Sequence, residues 1–254
     1  MTAHAADGER TTSARVVLRL HGRKLQIDME VPDGPRRPVE LMPLFRSLTD
    51  TFVQIASDDA QAHGFSVSCA KGCGACCRQL VPVSALDVEA LEKVLNAMPE
   101  TRRREIMERF ARALKQLESA GLIEPLRSAA QLDADDLQRL GLRYFAQHIP
   151  CPFLEEESCS IHEQRPLACR EYLVTSPPQH CARPSAATIR LVDMPVRMSH
   201  AVRHIDATRS KAWTPMILAF VGAQALSGEL RSGPEMLAAV FEYLSGQSIA
   251  APAT

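Results

Sequence analysis

The stretch Ser68-Cys69-Ala70-Lys71-Gly72-Cys73-Gly74-Ala75-Cys76-Cys77-Arg78 gathers four cysteines into one short loop. It has neither the 3.6-residue period of a helix nor the alternation of a strand. Short spacers let thiolates from one loop converge on a single centre. Gly72 and Gly74 lift the steric limits on its turns and free backbone N–H groups to approach sulfur, which stabilises charge on a metal cluster. The adjacent pair Cys76-Cys77 is informative. In an extended backbone the two side chains point to opposite sides, so either the loop turns there or the two thiols serve different jobs. The rest of the chain is expected to be a scaffold wrapped around this loop.

Cys151, Cys159, Cys169 and Cys181 complete a set of eight cysteines, with none outside the span from Cys69 to Cys181. Scattered cysteines would read as small buried hydrophobes. In a reducing compartment a cluster of them points instead to metal or catalysis. Four thiolates complete either a tetrahedral zinc site or a [4Fe–4S] cluster. Eight make two centres, or one centre with spare structural thiols. Structural zinc usually draws on paired C-x2-4-C knuckles, and only the first group has that form. The wide spacing of the second group suits a larger cluster, so the reading is a 4Fe-4S iron–sulfur cluster, with zinc as the alternative.

The spacing Cys69-x3-Cys73-x2-Cys76 also matches the three-cysteine loop of radical SAM enzymes, but the run of alternating strands and helices that such a barrel requires is missing. G-x-G-x-x-G, the P-loop and G-x-S-x-G are all absent. A doubly wound SAM-dependent methyltransferase would need a glycine-bearing strand–helix turn. No catalytic residue is assigned, and whether the protein is an enzyme stays open.

Outward from the loop, the chain reads as mainly α with a small β element, a single irregular domain stabilised by metal. Residues 1–14 form a polar tail. Residues 15–65 hold a hairpin and a helix: Val16, Leu18 and Leu20, then Leu25, Ile27, Met29 and Val31, alternate about His21-Gly22-Arg23, and Leu41, Leu44, Phe45, Leu48, Phe52 and Ile55 follow a helical period from about Val39 to His63. Residues 66–185 form the cysteine-cluster metal-binding domain. Within it Ser84 and Asp87 resemble a capping box, Pro99 opens a helix running to Gly121, and Asp133 caps another reaching Gln147. Arg102, Arg103, Arg104, Arg109 and Arg112 interleave with Glu105 and Glu108, the pattern of a solvated helix face. The segment from Pro150 to Cys181 is expected to be irregular and ordered by metal. Residues 186–254 are expected to pack three helices on the cysteine domain: Ser199–Lys211, Pro215–Leu226 and Gly233–Leu244.

The chain has 254 residues, 46% hydrophobic, enough for a sizeable core. Its formal net charge of -1 gives no global field favouring nucleic acid or an anionic membrane. The opening MTAHAADGER has no apolar run of a signal peptide. The strongest apolar stretch, Pro215 to Leu226, falls short of the roughly 20 residues of a membrane span. The expectation is a soluble, cytoplasmic protein with a protein or small-molecule substrate not identifiable from the sequence, and neither nucleic acid nor membrane as partner.

Three blocks together resemble a known family. They are Cys73-Gly74-Ala75-Cys76-Cys77, Cys151-Pro152-Phe153-Leu154, and Cys159-Ser160-Ile161-His162-Glu163-Gln164-Arg165-Pro166-Leu167-Ala168-Cys169-Arg170. The composite is similar to the YkgJ-type cysteine-cluster family of zinc- or iron-chelating domains, which includes the domain of flagellin lysine N-methylases. It covers roughly residues 66 to 185, and His162 stands where such families commonly show an aromatic residue. The resemblance implies metal binding, with protein-lysine N-methyltransferase activity as a further alternative. It also implies a core ligand set of Cys73, Cys76, Cys77, Cys151, Cys159 and Cys169, with Cys69 and Cys181 at its edges. Arg165 and Arg170 flank Cys169 and are candidate cofactor-binding residues, placed to hold thiolate or anion charge; the competing reading has Arg165 capping a helix end. His148, His162 and His180 read as hydrogen-bonded non-ligands, and Tyr172 and Trp213 as packing residues.

Overall fold

A computed structural model describes residues 10–20, 23–185, 187–205, 213–221 and 229–246. The architecture is mainly α with a small β element. Strands β1 (Thr11–Leu20) and β2 (Arg23–Pro32) pair antiparallel, with Val16 opposite Ile27 and Leu18 opposite Leu25. The connecting His21-Gly22 lies outside the described residues. After β3 (Pro35–Arg36), the helix expected from Val39 starts as a 3-10 turn at Pro38–Leu41 and continues as α1 (Met42–Ala62), which buries Met42, Phe45, Leu48, Phe52 and Ala56.

The cysteine loop follows and turns through a short 3-10 segment, Ala75–Arg78, into β4 (Pro82–Val83). Ser84 then caps α2 (Ala85–Ala97) by the reciprocal box with Asp87. Next come α3 (Glu100–Ser119), α4 (Ile123–Arg127) and α5 (Ala134–Phe145), the last capped by Asp133. A small hairpin, β5 (Leu154–Glu155) and β6 (Ser158–Cys159), leads to α6 (Leu167–Glu171).

Of the three closing helices expected, the last forms in full. The first shows α7 (Met198–Ala201) and a 3-10 turn at Val202–His204, and residues 206–211 of its expected span lie outside the described residues. The second gives way to β7 (Thr214–Pro215) and a 3-10 turn at Met216–Leu218, with residues 222–228 outside the described residues. Pairing explains the change: β7 runs antiparallel to β4, Pro82 opposite Pro215, so the backbone there is extended. β8 (Arg231–Ser232) pairs with β3 and ends at the capping box of Ser232 and Glu235, which starts α8 (Gly233–Ser245).

Two apolar cores result. One joins the inner face of the β1–β2 hairpin to α1, α7 and α8. A two-stranded ribbon is marginal alone, and α8 packing against both strands supplies the missing cover. The second core joins α3, α4, α5 and the Met216–Ala219 segment. α2 serves both, with Leu86 and Ala90 in the first and Val88, Leu91 and Leu95 in the second. The segment after Pro150 is anchored in both cores as well, through Phe153 and Ile161 in one and Leu167 in the other. Among the described residues no helix is long and apolar enough to cross a membrane.

Candidate metal centre

The 3-10 turn at Ala75–Arg78 sets where Cys76 and Cys77 point. Its amides bond back within the loop: Cys77 N donates to Gly74 O at 3.0 Å, and Gln79 N to Cys76 O at 3.1 Å. The turn brings the adjacent thiols into hydrogen-bonding contact, with Cys77 donating to Cys76. Of the two readings of the pair, the turned loop is the one observed.

The other thiols arrive on separate loops. Cys151 N donates to Cys77 O at 2.7 Å and Leu154 N to Cys151 O at 2.8 Å. Cys159 ends the β5–β6 hairpin, whose turn residues Glu156 and Glu157 have φ of 46° and 56°. Such values suit glycine or asparagine better than glutamate, but ion pairs grip the hairpin from both sides. Glu157 takes a forked contact from Arg78 at 2.6 and 2.9 Å, and Arg78 also donates to Gly74 O at 3.0 Å. On the opposite side Glu155 meets Arg102 and, at 2.8 Å, Arg109. Arg109 donates to Pro152 O at 3.0 Å. Two arginines of the α3 stripe thus hold the cysteine hairpin. Cys169 rides on α6, fixed to α2 by Leu167 N donating to Asp87 Oδ1 at 3.1 Å.

Together Cys76, Cys77, Cys151, Cys159 and Cys169 line one cavity of about 110 Å³, closed by Phe153, Ile161, Met216 and the Tyr172–Gln79 hydrogen bond of 3.0 Å. The sulfurs surround this space without converging on a point. Among the described residues no three His, Cys, Asp or Glu side chains form a group that could hold a metal ion as they stand. Cys69, Cys73 and Cys181 do not line the cavity and lie near Cys76. Val174 N points at the Cys69 sulfur at 3.5 Å, a contact that steadies sulfur charge. His180 Nδ1 donates to Thr188 O at 2.9 Å. None of the three histidines lines the cavity.

Burial decides the protonation of this site. It pushes the Cys151 thiol up to about 12, and it pushes Cys159 up and Cys169 well up, with neighbouring thiolates opposing ionisation further. Cys76 goes the other way: the Cys77 thiol donates to it and Arg165 lies near, so Cys76 ionises more readily than an ordinary thiol while Cys77 keeps the shared proton. The site is therefore a pocket of soft donors held mostly as neutral thiols, and a cation must displace their protons to bind. That donor set fits zinc and iron–sulfur chemistry.

Of the two predicted arginines, Arg165 lines the cavity, makes no hydrogen bond or ion pair among the described residues, and has a buried Nε. Arg170 is buried and committed elsewhere, bonding both oxygens of Asp50 at 2.6 and 2.7 Å and the Glu163 carbonyl. Arg46 and Asp50 on α1 border this region; they were not singled out in the sequence, because they lie outside the cysteine motif and only the fold brings them to it.

No curated protein and no solved structure matches the chain. A family model does, over residues 68–186, and it is described as "Putative zinc- or iron-chelating domain" with the name CxxCxxCC. All eight cysteines fall inside those bounds, and the cysteine-bearing segment of this chain is similar to that family.

Proposed function

We propose that the protein is an iron–sulfur protein whose thiol-lined cavity holds a four-iron cluster. The observation that carries this reading is the enclosure of one cavity by Cys76, Cys77, Cys151, Cys159 and Cys169. A single zinc ion draws four sulfurs to about 2.3 Å from one point. A cluster accepts thiolates at separate iron corners and suits a donor set spread around a space. When bound, the cluster supplies one-electron redox chemistry or a Lewis-acidic iron.

The chain's own residues have defined parts in this reading. Four of the five cavity thiols give up protons and act as ligands. Arg165, the cationic residue lining the cavity, offsets the negative charge that four thiolates bring. Phe153, Ile161 and Met216 exclude water, and the N–H of Val174 supports sulfur charge at Cys69 beside the cavity. The use of the centre is redox chemistry or a protein modification.

The test is elemental and spectroscopic. Protein purified without oxygen should be brown and carry iron with acid-labile sulfide. Stoichiometric zinc in colourless protein from iron-replete cells would overturn the cluster and favour a zinc-stabilised adaptor or metal-handling protein.

A further inference from the structure

A groove of about 1020 Å³ runs between α1 and the His162–Arg170 segment, and its walls include Arg46, Arg165, Arg170 and His162. Two carboxylates, Asp50 and Glu163, share it. Asp50 is taken up by Arg170. Arg46 spends one nitrogen on Gln164 O at 3.0 Å, and Arg165 spends none among the described residues. The Nε atoms of all three arginines are buried without a partner. Nearly every buried polar group in a folded protein finds a hydrogen bond, so three such atoms at one groove mark a surplus of donors.

Neighbouring groups feel that surplus. Burial and then the charge of Arg170 push Arg46 below the ordinary arginine range. His162, on the groove wall, is depressed first by Arg165, despite Glu163 and Asp50 pulling the other way. The field in the groove is positive after its own carboxylates are counted.

We infer that this groove is a binding site for a ligand bearing a carboxylate or phosphate group, gripped by the free guanidinium faces of Arg46 and Arg165. A guanidinium fork matches both groups, and forked pairs are the strong ones. Arg165 also lines the thiol cavity, so the ligand docks one side chain away from the metal centre. The groove is the place where a substrate of that centre is held. Binding itself rests on the arginines alone; only the coupling to the centre rests on the iron–sulfur reading.

The experiment is calorimetric titration of the metal-loaded protein, at constant ionic strength set by chloride, with inorganic phosphate in one arm and succinate in the other. Metal content and thermal midpoint are measured on every sample. Saturable binding of phosphate, succinate or both is expected, and the stronger arm identifies the ligand's charged group. Arg46→Gln should weaken it by about tenfold or more, the loss of one charge-assisted contact. Arg46→Lys, which keeps charge without the fork, should fall between. Arg139→Gln, on the exposed face of α5, should bind as the parent does. Bound anion should also shift the visible spectrum of the centre, and Arg165→Lys should diminish that shift. No saturable binding in either arm, or equal binding in a folded Arg46→Gln protein, would overturn the inference whatever the metal content. Binding that survives in colourless zinc protein would overturn the cluster and leave the groove standing.

Discussion

The amide of Cys151 donates to the carbonyl of Cys77 over 2.7 Å, so two cysteine loops distant in sequence are tied by backbone. The tie holds Cys77 and Cys151 at the cavity independently of any metal. Cys159 and Cys169 are placed there by the β5–β6 hairpin and by α6.

Single cysteine variants should therefore separate into two classes. Cys76→Ala, Cys77→Ala, Cys151→Ala, Cys159→Ala and Cys169→Ala each remove a cavity donor, and at least four of the five should lose iron and visible absorbance. Cys69→Ala, Cys73→Ala and Cys181→Ala should keep the spectrum. Cys181 is 4% exposed, and its loss should cost about 1–2 kcal/mol for a small buried deletion. Equal, complete loss of metal in all eight variants would show a single assembly using every thiol.

Chelation should loosen the Pro150–Cys181 segment without unfolding the protein. Phe153, Ile161 and Leu167 remain anchored in the two cores, while the thiols revert to neutral groups. Helical circular dichroism should stay near the loaded value as protease cleavage within 150–181 rises and the melting temperature falls. An unchanged melting temperature would mean that metal adds nothing to the fold. Because binding displaces protons from thiols that burial has pushed up, metal affinity should fall as pH is lowered.

What the sequence made legible follows from the range of each interaction. The caps at Ser84 and Asp133 are local, with donor and acceptor three residues apart, and can be read from spacing. The β1–β2 register follows from alternation. α4, at five residues, is too short to show a period. The segment around Pro215 looked helical because it is apolar, but its backbone pairs with β4, a partner far away in sequence. Which thiols share the cavity is likewise a through-space fact. Cys73 sits in the same loop as Cys76 and Cys77, yet only the latter two reach the cavity. The partnership of Arg170 with Asp50 was hidden for the same reason, since α1 lies outside the cysteine motif.

The Glu155 carboxylate gives a signed pH effect. The hydrogen bond from Arg102, aided by Arg109, holds it below the ordinary glutamate value of 4.5. A carboxyl whose pKa is lower in the folded state contributes stability above its unfolded value and loses it as pH falls through the folded value. Glu155→Gln should therefore destabilise metal-free protein at neutral pH by about 1 kcal/mol, the scale of a partly exposed pair. The gap between variant and parent should narrow as pH falls below 4.5 and close once pH has passed below the folded value. Denaturant titrations at pH 7 and pH 3.5 check this, and a gap that does not narrow at all at the lower pH would mean that Glu155 acts through packing instead.

Gly74 and Gly72 make a paired test of how the loop meets the hairpin. A Cβ on Gly74 would stand 2.5 Å from Glu157 Oε2, 2.8 Å from Leu154 Cδ1 and 3.2 Å from Glu157 Cα. The carboxylate can swing away, but only by leaving Arg78, and the backbone atom cannot move without the hairpin that carries Cys159. Gly74→Ala should thus cost about 1–3 kcal/mol by overpacking. It should also lower metal affinity, because it parts the Cys76–Cys77 turn from Cys159. Gly72 has φ of 87° with nothing near its Cβ position. Gly72→Ala should cost about 1 kcal/mol of backbone strain and leave metal affinity close to the parent's. Adding Glu157→Ala to Gly74→Ala should restore part of the lost affinity, since it removes the nearest clashing atom. If both glycine variants lose metal equally, the loop is sensitive to any perturbation and its fit against the hairpin is not what sets the cavity.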